Sequence, residues 1–165
     1  MKILGIDPGT AVLGYGIIET DGQTTTLVLY DVIRCRAADS MPTRLLNLFE
    51  SLREVIRLHR PDEVAVESPF FAKNARSALA VGKAQAVAML AAAQANLPVF
   101  EYSPAQIKSR VTDYGAGSKD QVALMVKLEL GLTEIPYPAD AADALACALC
   151  HLREKALSDL LKQSS

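Results

Sequence analysis

The chain has 165 residues, half of them hydrophobic, with a formal net charge of −2 and three cysteines. That length suits one domain spanning residues 1–165, able to bury a core without disulfides or a structural metal. No apolar run approaches the roughly 18 residues a membrane span requires. Asp7 also interrupts the N-terminus before a secretory apolar region can form, so the expected setting is cytoplasmic, with no membrane partner.

Lys2 to Asp7 is a nearly continuous apolar run ending on a carboxylate, the pattern of a central strand covered on both faces. After Pro8-Gly9-Thr10, Gly14 to Ile18 resumes strand character, Asp21-Gly22 signals a hairpin, and Thr25 to Ile33 is a third strand, giving an antiparallel meander. Leu45, Leu48, Phe49, Leu52, Val55 and Ile56 recur at helical spacing, so a helix is expected from about Met41 to His59, stopped by Arg60-Pro61. Asp62 to Glu67 is a short strand that again ends on a carboxylate. Ser68 to Phe71 is a loop, and the Ala-rich stretch from about Ala72 to Asn96, with Gly82 in it, is a long helix.

Val99 to Tyr102 is the next strand, and Ser103-Pro104 opens a helix to about Thr112. After Gly115-Ala116-Gly117, Ser118 to Gln121 matches a capping box, and Gly131 closes that helix. A last helix is expected from Pro138 to about Leu161, with a frayed tail over 158–165. Strands alternating with helices and no linker or repeat make this a single α/β domain.

Asp7, Glu67, Asp140 and Asp143 each sit within or at the end of an otherwise apolar element. Buried carboxylates need partners, and Asp140 and Asp143, one helical turn apart, would repel. Singly, each has an ordinary explanation as a solvated charge. Together they suggest convergence around hard cations, since oxygen-only ligands select magnesium or manganese over zinc. Two such ions about 4 Å apart suit phosphodiester hydrolysis.

Lys119 opens a helix after a Gly-rich loop, where a cation opposes the helix dipole but stands beside free backbone N–H groups, a place for an oxyanion. Between Ala72 and Lys127, Lys73, Arg76, Lys83, Lys108, Arg110, Lys119 and Lys127 face three acids, a net of +4 in a chain of −2. A polyanion is the natural partner of that excess, although a solvated helix face accounts for part of it. Phe70 and Phe71 follow Glu67 in a loop and suit base stacking, though such a pair is more often core. Cys147 and Cys150 lie in the apolar continuation of the last helix and read as buried thiols, with only Cys35 and His151 left as zinc partners.

Taken together, GIDPGTAVLGYG, ESPFFAKNARSAL, FEYSPAQIK, GSKDQV and DAADALACAL strongly resemble the RuvC-type Holliday-junction resolvases of bacteria, from Lys2 to about Arg153. The resemblance implies an RNase H-like fold, a five-stranded mixed sheet flanked by helices, and a homodimer that nicks four-way DNA junctions in recombination and repair. It makes Asp7, Glu67, Asp140 and Asp143 catalytic carboxylates holding two Mg2+ ions per site, for which Mn2+ can substitute. It makes Lys119 a catalytic and DNA-contacting residue, Lys108 a DNA contact and Phe70 the junction-stacking aromatic, with Phe71 sharing that task. Lys73, Asn74, Arg76 and Lys83 complete the expected DNA surface. Ser68-Pro69 departs from the family pattern before the aromatic. RuvA and RuvB are the implied protein partners.

Three other readings compete. GIDPGT also resembles the phosphate loop of actin-like ATPases, which need a much longer chain. A non-catalytic junction binder would gain DNA affinity by losing four negative charges, so the acidic quartet opposes it. A related RNase H-like nuclease acting on an RNA–DNA hybrid differs only in substrate.

Overall fold

A computed structural model describes residues 1–68, 75–112 and 117–163. β1 (Lys2–Asp7), β2 (Val12–Thr20) and β3 (Thr25–Arg34) form the meander. They are followed by α1 (Met41–His59), β4 (Glu63–Glu67), α2 (Ala75–Gln94), β5 (Val99–Tyr102), α3 (Pro104–Thr112), α4 (Lys119–Glu129) and α5 (Ala139–Gln163). The five-stranded sheet has the order β3-β2-β1-β4-β5; β1 runs antiparallel to β2 and parallel to β4, and β4 parallel to β5. β1 is therefore the central strand, as its unbroken apolar run demands.

Local chemistry sets the element ends. Ser40 caps α1 by accepting from the Thr43 N–H, and Arg60, at φ 49°, turns the chain out of the helix ahead of Pro61. The capping box of α4 is complete: Ser118 Oγ accepts from the Gln121 N–H, and the Gln121 side chain accepts from the Ser118 N–H. Gly131, at φ 62°, takes the left-handed turn after that helix.

Two boundaries differ from expectation. Pro138 lies just before α5, and its carbonyl accepts from the N–H groups of Ala141 and Ala142. The far end of α5 stays helical through Gln163, where a frayed tail from residue 158 was expected. An exposed Lys162–Asp159 pair at 3.7 Å spans the last turn.

The sheet separates two apolar layers. On one face, Leu4, Ile6, Leu13, Ile17, Val64 and Val66 pack against α1 and α2 through Leu48, Leu52, Ala84 and Ala88. On the other, Ile3, Ile18 and Ala65 meet α3, α4 and α5 through Ile107, Val122, Leu145 and Leu149. Cys147 and Cys150 are fully buried in this second layer, and His151 bonds to Tyr102 and Glu63, not to a thiol.

Candidate active site

Strand parity puts the two strand carboxylates on one face. Side chains alternate along a strand, so Asp7 shares the α5-facing side with Ile3 and Gly5, and Glu67 shares it with Ala65. Ile6 pairs with Val66 in the parallel β1–β4 ladder, so Asp7 and Glu67 are the next residues at the same end of neighbouring strands.

The helix carboxylates arrive through glycines. On the antiparallel side Asp7 pairs with Gly14 and Gly5 with Gly16. A Cβ on Gly14 would stand 1.9 Å from the Asp140 carbonyl oxygen, and one on Gly5 would stand 2.0 Å from that of Ala144. Without side chains at these positions, the start of α5 lies directly on β1 and β2, and Asp140 and Asp143 meet the end of β1. Asp7 is thus flanked by Glu67 through β4 and by Asp140 through Gly14.

The Asp7 carboxyl feels the charges of the other three acids. Burial raises the Asp7 pKa to about 8, with Glu67, Asp143 and Asp140 adding repulsion and Lys119 opposing it. Burial and Asp143 raise Glu67 to about 7, against the pull of Lys119 and Lys108. Lys119 donates from Nζ to Asp143 Oδ2 at 2.9 Å and is held charged by that bond and by its attraction to Asp143, Asp7 and Glu67. Among the described residues, no three His, Cys, Asp or Glu side chains are gathered at metal-ligand spacing. Asp143 is paired with Lys119. Buried carboxyls whose charged forms are disfavoured by burial and by one another, in an all-oxygen donor set, fit a hard divalent cation.

Lys108 and Lys119 line a small cleft of about 50 Å³ with Glu67 and Asp143, over a floor of Ile107 and Val122. Arg76 and Lys83 instead lie on α2, across the sheet from α5. Phe70, Phe71, Lys73 and Asn74 lie outside the described residues. A larger groove of about 670 Å³ between α1 and α2 is bordered by Glu54 and Arg57, which pair with each other at 2.7 Å.

The glycine platform was not assigned a role from the sequence, although Gly14 and Gly16 inside a strand signal close backbone approach. A second unassigned feature is polar. Gln85 of α2, mostly buried, donates from Nε2 to Glu101 Oε2 at 2.6 Å and to Ser68 Oγ at 3.4 Å, tying the residue after Glu67 to the opposite layer.

A mixed sheet in this order, with acids from its central strand, its neighbouring strand and a crossing helix, defines an RNase H-like nuclease scaffold. The family model for crossover junction endodeoxyribonuclease RuvC matches residues 3–151. A crossover junction endodeoxyribonuclease RuvC from Dehalococcoides mccartyi is 58% identical over 163 residues, covering 99% of this chain and 98% of that protein. The Thermus thermophilus RuvC structure superposes with a TM-score of 0.89 at 35% identity, covering 96% of this chain and 97% of its own. T. thermophilus RuvC in complex with Holliday junction substrate gives 0.91 at 36% identity, covering 96% of both chains. The chain belongs to the RuvC family of crossover junction endodeoxyribonucleases.

Proposed function

We propose that this chain is a structure-selective endonuclease that resolves four-way DNA junctions by paired, symmetric nicks in recombination and repair. The reading is supported by Asp7 and Glu67 ending neighbouring strands, by the start of α5 seated on Gly14, and by the cleft that Glu67 and Asp143 share with Lys108 and Lys119. Its likeness to a relative described with a Holliday junction substrate supports the choice of DNA structure.

Asp7, Glu67, Asp140 and Asp143 would hold two Mg2+ ions, with Mn2+ an acceptable substitute. Bound there, such ions supply activation of a water and stabilisation of the leaving oxygen. The chain's own part is positioning. Strand ends and a helix seated on glycine hold the carboxylates more rigidly than loops would. Lys119, on the first turn of α4, presents an ammonium to the cleft where a backbone phosphate would lie, and Lys108 extends that cationic bank. The reaction breaks one P–O bond, water supplying the new oxygen, and leaves a phosphate end and a hydroxyl end.

Paired cutting calls for two sites. A four-way junction is pseudo-two-fold, so a C2 homodimer places one centre on each of two opposed strands. The outer face of α2 suits that contact: Leu79 and Leu90 are exposed at helical spacing with Lys83 and Ala86 between them, and a Cβ at Gly82 would meet nothing within 4 Å. Family membership supports RuvA and RuvB as partners. No described helix is long and apolar enough to cross a membrane, and a DNA substrate supports a cytoplasmic location.

The test is cleavage of a labelled synthetic four-way junction, the matching linear duplex and an RNA–DNA hybrid, with and without Mg2+. Paired Mg2+-dependent nicks confined to the junction are expected. Equal cutting of the duplex or hybrid would contradict the substrate assignment.

A further inference from the structure

Tyr137 is the most exposed large apolar side chain among the described residues, at 83%, with the neighbouring Ile135 at 49%. Scattered exposed apolar residues are ordinary on a protein surface. This one differs in its position and anchoring. It precedes Pro138, whose carbonyl accepts the first two N–H bonds of α5, so the ring projects from the fixed entrance to that helix. It stands three positions before Asp140, which bounds their backbone separation at about 10 Å. The site is also lopsided: Lys108 and Lys119 line the β4 side of the acids, whereas Asp140 lies over Gly14 on the β2 side. Tyr137 leads into the helix that carries Asp140, and Asp140 lies over β2, whereas the lysines line the cleft beside Glu67.

We propose that Tyr137 stacks on a nucleotide adjacent to the scissile phosphate, on the side away from Lys119, and so sets which phosphate is cut. Cations on one bank hold the backbone by charge, which carries no register, because every phosphate looks alike to an ammonium. A ring on the other bank offers a flat apolar face to a base, and that contact fixes the step between one phosphate and the next. The inference rests on the acidic quartet being the reacting centre.

The experiment compares wild-type protein with Tyr137→Ala, Tyr137→Leu and Tyr137→Phe. Single-turnover nicking of a synthetic four-way junction is followed in Mg2+, each cut is mapped to the nucleotide, and junction binding is measured in Ca2+. A base-stacking aromatic supplies about a tenfold effect or more. Tyr137→Ala and Tyr137→Leu are therefore expected to nick at least ~10-fold more slowly, or to spread cuts over neighbouring phosphates. Tyr137→Phe is expected to recover at least ~5-fold over the alanine variant, and all three should melt within about 2 °C of wild type because the side chain is exposed. Leucine as good as tyrosine, phenylalanine as poor as alanine, or an alanine variant cutting the same phosphate within threefold of the wild-type rate would overturn the proposal. An Asp140→Asn arm separates the two readings: full nicking by that variant removes Asp140 from the centre, whereas the Tyr137 result is read from cut position and aromatic rescue.

Discussion

Gly14 lies directly beneath Asp140: a Cβ placed on the glycine would stand 1.9 Å from the aspartate's carbonyl oxygen. Because Gly14 is also the cross-strand partner of Asp7, this one missing side chain brings the Asp140 backbone down beside the end of β1. Backbone cannot yield as a side-chain tip can, so Gly14→Ala must lift the start of α5. The expected result is a melting temperature lower by about 5 °C or more and junction nicking reduced at least ~10-fold, read by thermal melt and single-turnover cleavage.

Asp7 and Glu67 make stability depend on pH in an unusual sense. Their folded pKa values, about 8 and about 7, lie above the ordinary 3.8 and 4.5. Between those values the folded chain holds protons that the unfolded chain has released, so stability falls as pH rises from about 4 to 8. In EDTA the melting temperature should therefore decline over that range, and Asp7→Asn should flatten the decline and melt above wild type at pH 8. Added Mg2+ should stabilise more at pH 8 than at pH 5, where protons compete for the same oxygens. A wild-type melting temperature that rises from pH 5 to 8 in EDTA would contradict this electrostatic picture.

Much of this was legible in the sequence because each element carries its own punctuation. The apolar run to Asp7 announced a central strand, Arg60-Pro61 and Gly131 marked helix ends, and Ser118 to Gln121 marked a helix start. Convergence was harder to read, because it depends on register. Asp7 and Glu67 reach the same end of neighbouring strands through the Ile6–Val66 pairing, and the Asp140 backbone approaches β2 because Gly14 lets a helix touch the sheet. The basic residues show the limit of one-dimensional counting. Lys108 and Lys119 reach the cleft, but Arg76 and Lys83 occupy a helix on the other face.

Lys119 is expected to act on the reaction more than on docking. Its ammonium already sits 2.9 Å from Asp143 and lines the cleft with Glu67. Lys119→Ala should lower the single-turnover nicking rate by ~10²-fold while weakening junction binding in Ca2+ less than ~3-fold. Equal losses in rate and affinity would make it a docking contact only.

The outer face of α2 should hold the dimer. Placing a charge there, Leu79→Glu, puts an unpaired carboxylate into an apolar contact without disturbing the buried alanines on the opposite side of the helix. Sedimentation should show monomers, and paired nicks in one junction should give way to single ones. A variant that remains dimeric would move the interface elsewhere.

The most direct measurement of the central claim is the location of the ions. A crystal soaked in Mn2+ and recorded at the manganese absorption edge should show anomalous peaks bounded by carboxylate oxygens of Asp7, Glu67, Asp140 and Asp143, at metal–oxygen distances of about 2.0–2.3 Å. Peaks bound elsewhere, or touching one of the four acids without the others, would contradict a shared metal centre.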